Sequence, residues 1–401
     1  MNGTSDRGLG LPRLTSLRWY AALFVFLYHS STFLPIRLLK PFNFGTVGVT
    51  FFFVLSGFVL AWSTRPDLPA KTFYRRRVAR IYPSYIVVFG LAVLMIAIAP
   101  DIGLSRGWLG IVTTVFMVQA WIPSSNYPVF SYNAPEWSLS CEAFFYALFP
   151  FVHRGLRSLS ARLRAAVVLA SLVLAVTASG LFTHTHYSAV YSSPLIRLPE
   201  FMFGMWLAIV VESGWRTRIP VWAAVIIAGV AYELARRVGV EALSGHGDYV
   251  VLLPIGLLLA AAATTDLAGR SGFLATPVSV YLGEVSFAFY LVQLPVLVLL
   301  DRTEPWRRSW TEVRSVELLA VSFLCTLAAA ALLHHVVEIP LQRRLRGPGA
   351  ASIATEDPEQ LAGETASRGR GIGRRTAATE SGDELGAAPD RPVTGAGPGA
   401  G

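Results

Sequence analysis

The sequence predicts an all-α integral membrane protein: about ten transmembrane helices in one bundle, followed by a disordered C-terminal tail. Three observations support this fold class. The 401 residues are 53% hydrophobic and only 15% charged, with a mean hydropathy of +0.51. Apolar segments of about 17–25 residues, long enough to cross a bilayer, recur along the chain. After Arg346 the composition changes abruptly to small, polar and charged residues, as is typical of disorder.

The chain divides into three parts: a short cytoplasmic N-terminus (1–15), a membrane domain (16–346) and a disordered cytoplasmic tail (347–401). The predicted spans are 16–34, 46–63, 82–99, 138–152, 165–182, 197–211, 219–235, 249–265, 278–300 and 316–337.

Charge asymmetry sets the predicted orientation, because loops rich in Lys and Arg stay in the cytoplasm. The densest basic loop is 64–83, so both termini should be cytoplasmic and the protein should span the plasma membrane several times. This orientation requires that the apolar segment 107–121 does not span. We expect that segment to be re-entrant or to lie along the outer surface. The net charge of +9 comes from arginines scattered between apolar segments, which serves topology and does not indicate nucleic acid as a partner.

The first span carries two ionisable groups, Arg18 and His29. At a rise of ~1.5 Å per residue they lie roughly 16 Å apart along a helix, which puts His29 beyond the middle of the bilayer. An ionisable residue at that depth is costly and marks a functional site by default. The alternative is a histidine hydrogen-bonded between packed helices.

Two further groups of polar residues have both a functional and a structural interpretation. Arginine pairs spaced three or four apart share one face of a helix and suit phosphate binding; they could equally be membrane anchors that snorkel. These arginines are Arg76, Arg77 and Arg80. Glu142 follows Asn133, Trp137 and Ser138 into an apolar segment, where a carboxylate could act as a base or orient a histidine. The alternative is a helix cap, formed by Ser138 or Glu136.

Other polar pairs are predicted to be structural. Arg197 and Glu200 should form an ion pair, and Glu338 should pair with Arg343 or Arg344. The glycines of segment 45–57 should allow helices to approach closely. No nucleophile turn, phosphate-binding loop or H-x4-D motif is present, and neither Cys141 nor Cys325 fits a disulfide or metal pattern.

Five motifs in a fixed order together resemble the membrane acyltransferase-3 family over roughly residues 12–346. They are Arg18-x10-His29, GVTFFFVLSGF at 48–58, FYRRRVARIYPSY at 73–85, NAPEWSLSCEAFFYALFP at 133–150 and RLPEFMFG at 197–204.

The resemblance implies an O-acyltransferase that moves a short acyl group, commonly acetyl, from acyl-CoA. The donor is a co-substrate from the cytoplasm, and no bound cofactor or metal is implied. The acceptor would be a hydroxyl of a carbohydrate, a glycoconjugate or a polyketide- or macrolide-type natural product. The acceptor would bind at a site near the outer surface formed by His29 and Glu142. A tunnel through the helix bundle would connect this site to a cytoplasmic site that binds anions.

The family pattern also implies roles for individual residues. His29 would be the general base on the acceptor hydroxyl, or a transient acyl carrier, and Glu142 would orient or recharge its imidazole. Further residues would bind CoA or substrate: Arg76, Arg77 and Arg80 at the CoA phosphates, Arg18 deeper in the bundle, and Asn133, Trp137 and Ser138.

One position departs from the family pattern. Gln293 stands where relatives often carry a histidine, and an amide cannot do proton chemistry. Gln293 leaves open a non-catalytic relative of the acyltransferases as one alternative function. A second alternative is a membrane transporter, in which buried ionisable residues are also expected.

Overall fold

The computed structural model confirms an all-helical membrane protein. It describes residues 10–34, 36–64, 68–98, 108–122, 132–238, 248–303 and 312–346. These residues contain helices and no β-strand. The predicted disordered tail, 347–401, lies outside the described residues.

Twelve α-helices follow one another in the described residues, and a π-helical turn at His334–Glu338 joins the last two. The helices are α1 (Pro12–Phe33), α2 (Thr46–Ser63), α3 (Ala70–Ile98), α4 (Trp108–Val115), α5 (Trp137–Ser158), α6 (Ala161–Tyr191), α7 (Pro194–Glu212), α8 (Val221–Val238), α9 (Asp248–Leu267), α10 (Pro277–Thr303), α11 (Glu312–Leu333) and α12 (Ile339–Arg346).

Each of the ten predicted spans coincides with one of these helices, α1–α3 and α5–α11. Seven helices of the described part are long and apolar enough to cross a membrane. Helices α1, α5 and α8 are not among the seven. The count of ten spans therefore stays a prediction.

The segment 107–121 was expected not to span. Its described part contains α4, a helix of eight residues. At ~1.5 Å per residue this helix is about 12 Å long, well short of the roughly 30 Å apolar layer.

Much of the bundle surface is apolar, as a lipid environment requires. On α6, Leu169, Leu174 and Leu181 are 63–70% exposed, and Ile226 and Val230 on α8 are similarly exposed. In water such a surface would be strongly unfavourable, so its natural neighbour is lipid.

Glycines bring two pairs of helices into backbone contact. A Cβ on Gly57 of α2 would overlap the carbonyl of Phe201 on α7, and a Cβ on Gly204 would overlap the carbonyl of Val54. Gly283 of α10 lies equally close to the backbone of Thr15 on α1. The predicted close approach at Gly57 is therefore confirmed.

One buried ion pair joins two helices, and another lies within a single helix. Arg13 Nη1 lies 2.5 Å from Asp266 Oδ1 and joins the start of α1 to the end of α9. Within α7, Arg197 Nη1 lies 2.7 Å from Glu200 Oε1, which confirms the predicted pair.

Candidate functional site

Helix α1 carries Arg18 and His29 into the interior of the bundle. Both side chains are half-buried, and Arg18 Nε and His29 Nδ1 are buried without a hydrogen-bond partner. The aromatic packing of Trp19 and Phe26 against Phe289 fixes α1 on α10, with ring centroids 4.9 and 5.5 Å apart. These apolar contacts hold the helix that carries Arg18 and His29 in place against α10.

His29 faces Gln293 of α10. The imidazole is close enough to interact with the Gln293 carboxamide, although Gln293 Oε1 makes no hydrogen bond of standard geometry. Gln293 Nε2 donates instead to the carbonyl of Tyr290 at 3.1 Å. Gln293 is fully buried, so the His29 ring meets an uncharged polar partner in the middle of the bundle.

Three arginines gather about three turns below His29. Arg80 of α3 interacts electrostatically with both Arg18 and Arg77, and these three residues form what we term the arginine cluster. The Arg77 guanidinium carbon lies 5.8 Å from the Phe73 ring centroid and 6.0 Å from that of Tyr146. Aromatic faces stabilise a partly desolvated cation, which keeps Arg77 directed into the bundle.

Arg76 lies outside the arginine cluster. It is half-buried, its Nε has no hydrogen-bond partner, and it is not among the residues that interact with Arg18 or Arg77. Arg77 and Arg80, three apart, interact electrostatically with each other.

Glu142 interacts with the arginine cluster and not with His29. Its Oε1 accepts hydrogen bonds from Ser56, at 2.8 Å, and from Tyr146. Its carboxylate also interacts with Arg18 and Arg77. Within the described part of the chain His29 has no contact with Glu142, so the structure does not bring the two residues of the expected His/Glu site together.

A second carboxylate, Glu338, faces Arg18. It lies in the π-helical turn, where His334 Nδ1 and Gln342 Nε2 are each 2.9 Å from its carboxylate oxygens. The predicted ion pair with Arg343 or Arg344 is therefore wrong. The π-helical turn shifts the register after α11 and directs Glu338 inward, where it is 2% exposed.

The segment before α5 is bound to α10 by polar side chains. Asn133 Nδ2 donates to Glu136 Oε1 at 3.1 Å and to the Leu291 carbonyl at 3.0 Å. Ser138 Oγ lies 2.9 Å from both the Pro135 carbonyl and the Tyr290 hydroxyl. Neither Ser138 nor Glu136 caps the helix: the N-cap position of α5 has no side-chain hydrogen bond.

Trp137 is a packing residue in this structure. It is 4% exposed, its ring lies 4.9 Å from that of Tyr191, and the Arg197 guanidinium sits over it at 5.8 Å. The buried Arg197–Glu200 pair thereby holds the start of α5 against α7.

Sequence reasoning overlooked several polar residues of this region. Gln119 donates to the Glu136 carbonyl at 3.0 Å, and Tyr85 donates to the Thr114 carbonyl at 2.6 Å. Tyr146 lies one helical turn after Glu142, a spacing that could have identified it. Among the described residues no group of three His, Cys, Asp or Glu side chains could hold a metal ion.

The chain matches the model of an acyltransferase domain family, acyltransferase-3, over residues 11–335. It is 34% identical over 390 residues to acyltransferase MdmB of Streptomyces mycarofaciens, and the match covers 88% of this chain and 98% of that protein. No solved structure matches it.

Two more distant relatives carry more specific names. Putative peptidoglycan O-acetyltransferase YrhL of Bacillus subtilis is 30% identical over half of this chain and a third of its own length. O-acetyltransferase OatA of Staphylococcus aureus is 22% identical over 83% of this chain and 57% of its own length. Both relatives extend well beyond the matched region.

Proposed function

Since the chain belongs to the acyltransferase-3 family, we propose that it is an O-acyltransferase using acyl-CoA as donor. It would move a short acyl group, in the simplest case acetyl, to a hydroxyl of the acceptor substrate. That substrate would be a carbohydrate, a glycoconjugate or a polyketide- or macrolide-type natural product. The names of YrhL, a putative peptidoglycan O-acetyltransferase, and OatA, an O-acetyltransferase, support the acetyl group and the hydroxyl acceptor.

A single observation carries this proposal: the arginine cluster and His29 lie in the same helix bundle. Guanidinium groups bind phosphate oxygens through paired hydrogen bonds, and the cluster of Arg18, Arg77 and Arg80 has two neighbouring carboxylates. His29 lies roughly 16 Å further along α1. Acyl-CoA has the same layout, because its extended pantetheine arm separates the phosphates from the thioester.

In the proposed reaction a ring nitrogen of His29 removes the proton from the acceptor hydroxyl. The oxygen attacks the thioester carbonyl, an ester C–O bond forms, and the C–S bond breaks. The CoA thiolate leaves and takes the proton back from the imidazolium. Gln293 holds the ring in place by a neutral contact, and Glu142 fixes Tyr146 and the arginines.

The orientation of the protein in the membrane is part of the same proposal. The end of the bundle at which α1 begins would face the cytoplasm, with both termini inside and the protein in the plasma membrane. Cytoplasmic acyl-CoA would then enter from the side of the arginine cluster.

Transfer of label from [14C]acetyl-CoA tests the function. Vesicles that contain the protein are incubated with extracts of the host's hydroxyl-bearing compounds, and His29→Ala and His29→Gln are compared with His335→Ala. His335 is an exposed histidine on the π-helical turn, so it controls for loss of an imidazole elsewhere. We expect the label in an ester that alkali cleaves, lost in both His29 variants and kept in His335→Ala.

Two outcomes would contradict the proposal. Label that crosses the vesicle membrane without covalent transfer would indicate a transporter. Folded protein that transfers no label from any short acyl-CoA would indicate a non-catalytic relative.

A further inference from the structure

Three aromatic rings are stacked nearly parallel between α3 and α5, and we term Phe73, Phe149 and His153 the ring stack. The Phe73 and Phe149 ring centroids lie 5.0 Å apart with their planes at 14°, and the Phe149 and His153 centroids lie 5.0 Å apart at 13°. All three residues are at most 7% exposed. The Tyr74 hydroxyl donates to the Ala147 carbonyl at 3.0 Å, a second contact between the same helices. Because ring stacking depends on both spacing and orientation, the ring stack fixes the start of α3 on α5.

Polar contacts hold the α5 end of the ring stack. Arg157 Nε donates to His153 Nε2 at 2.9 Å, and Arg157 also pairs with Glu212 at the end of α7. Burial, and secondly the Arg157 cation, lower the pKa of His153 to about 4, so the ring is uncharged at neutral pH. An uncharged imidazole can accept the hydrogen bond from Arg157 while it presents an aromatic face to Phe149.

The α3 end of the ring stack meets the arginine cluster. The guanidinium carbon of Arg77 lies 5.8 Å from the Phe73 ring centroid and 6.0 Å from that of Tyr146. Arg77 Nε is buried without a hydrogen-bond partner. A guanidinium that packs against an aromatic face still presents N–H groups at its edge to an anion. The position of the Phe73 ring therefore influences where Arg77 places its donors.

Aromatic rings have an advantage over carboxylates as partners of an arginine that binds phosphate. A carboxylate in a paired hydrogen bond occupies the same N–H groups that a phosphate would use. A ring contacts the guanidinium face and leaves those N–H groups available. Precise placement matters, because a displacement of about 1 Å at a substrate-binding group can cost on the order of 100-fold in rate.

We propose that the ring stack positions Arg77 for the phosphates of the acyl-CoA donor, so that Phe73, Phe149 and His153 are positioning residues of the donor site. This inference rests on the proposed acyl transfer and adds three residues to it. The rings act through Arg77 and not on the thioester. A change in the α5 part of the ring stack should therefore alter donor binding and leave the chemical step intact.

Phe149→Leu tests the proposal, because it removes the central ring and keeps an apolar side chain. In steady-state transfer assays we expect it to raise the KM for acetyl-CoA roughly 3- to 10-fold, with little change in kcat. The KM for acetyl-pantetheine, which lacks the nucleotide phosphates, should stay near wild type. Phe203→Leu is the matched control, because Phe203 of α7 is 5% exposed and stacks on Trp206 at 5.7 Å. It removes a stacked ring elsewhere and should leave both KM values unchanged.

A double-mutant cycle shows whether Phe149 acts through Arg77. In the Arg77→Ala background, Phe149→Leu should cause no further rise in the KM for acetyl-CoA, because the group that the ring stack positions is absent. A purely structural role predicts additive effects instead, since the loss of packing is the same with or without Arg77. Additive effects would overturn the inference, and so would equal rises in KM in Phe149→Leu and Phe203→Leu.

His153 supplies a second pair of variants that does not depend on the folding of Phe149→Leu. His153→Phe keeps a ring against Phe149, whereas His153→Gln keeps an acceptor for Arg157 without a ring. We expect His153→Phe to stay near wild type and His153→Gln to raise the KM for acetyl-CoA about two- to threefold. The reverse order would show that the hydrogen bond to Arg157 matters and the ring does not, which would overturn the inference.

Equilibrium binding of radiolabelled acetyl-CoA without an acceptor separates this inference from the proposed function. The dissociation constant should depend on Phe149 and Arg77 in the same way as the KM. Equal dissociation constants in wild type and Phe149→Leu would overturn the inference. Wild type that binds the donor but transfers label to no hydroxyl compound would refute the proposed function alone, and wild type that does not bind the donor would refute both.

Discussion

Asn133 donates a hydrogen bond to the carbonyl oxygen of Leu291, 158 residues away, at 3.0 Å. This carbonyl needs an external donor because its partner within α10 would be the N–H of residue 295. That residue is Pro295, and proline has no N–H to give. The side chain of Asn133 replaces the missing donor and fixes the segment before α5 on α10.

A double-mutant cycle tests this relationship. Asn133→Ala leaves two buried oxygens without a donor and should lower the free energy of unfolding by roughly 2 kcal/mol. Pro295→Ala restores the helix donor, so Asn133→Ala should cost about 1 kcal/mol less in that background. Denaturant titration in mixed micelles measures both values. The same cost in the two backgrounds would show that Leu291 does not depend on Asn133.

The arginine cluster should recognise the phosphates of the donor. Arg77→Ala should raise the KM for acetyl-CoA about tenfold, because a charged hydrogen bond to phosphate is lost. The KM for acetyl-pantetheine, which lacks the nucleotide phosphates, should change much less. Steady-state transfer assays with the two donors provide the comparison.

Neighbouring arginines serve as controls for Arg77. Arg75→Ala, on the exposed face of α3, should leave both KM values near wild type. Arg76→Ala should have a smaller effect than Arg77→Ala because Arg76 lies outside the cluster. Equal effects of all three variants would mean that the basic segment acts through its overall charge.

Hydropathy and helical spacing predicted the parts of this fold that depend on local sequence. An apolar run long enough to cross a bilayer has few alternatives to a helix, so all ten predicted segments are helices. The Arg197–Glu200 pair was also predictable, because residues three apart on a helix are neighbours.

The partners of Glu142 and Glu338 could not be predicted in this way. Depth along a helix fixes the level of a side chain but not which neighbouring helix it faces. Helix α5 therefore directs Glu142 to Ser56 and the arginines, although His29 was an equally plausible partner from the sequence. For Glu338 the π-helical turn changes the direction of every later side chain, and the sequence carried no clear signal for that turn.

The contact of Gly57 with the Phe201 backbone should make α2–α7 packing intolerant of any side chain. Gly57→Ala forces the two helices apart and should destabilise the protein by about 1–3 kcal/mol. Gly90→Ala on α3 is the control, since a Cβ there meets nothing within 4 Å. It should be neutral or stabilising by up to ~1 kcal/mol, as Ala favours a helix over Gly. Similar losses of stability in both variants would refute the packing argument.

The buried Arg13–Asp266 pair should be far more sensitive than a surface pair of the same chemistry. Asp266→Ala leaves the Arg13 guanidinium buried without its counter-ion, a change that typically costs about 3–5 kcal/mol. Arg314 and Glu317 form a comparable pair with side chains 49% and 57% exposed, so Glu317→Ala should cost less than ~1 kcal/mol. Denaturant titration of both variants measures the difference.

The double variant Arg13→Met/Asp266→Leu separates the burial of charge from the packing of α1 against α9. Replacing both charges with apolar side chains removes the unpaired ion, so most of the stability lost in Asp266→Ala should return. Recovery should be incomplete, because Arg13 Nη2 also donates to the carbonyl of Arg270 at 2.5 Å. A double variant no more stable than Asp266→Ala would mean that the ion pair itself, and not the avoidance of an unpaired charge, holds α1 to α9.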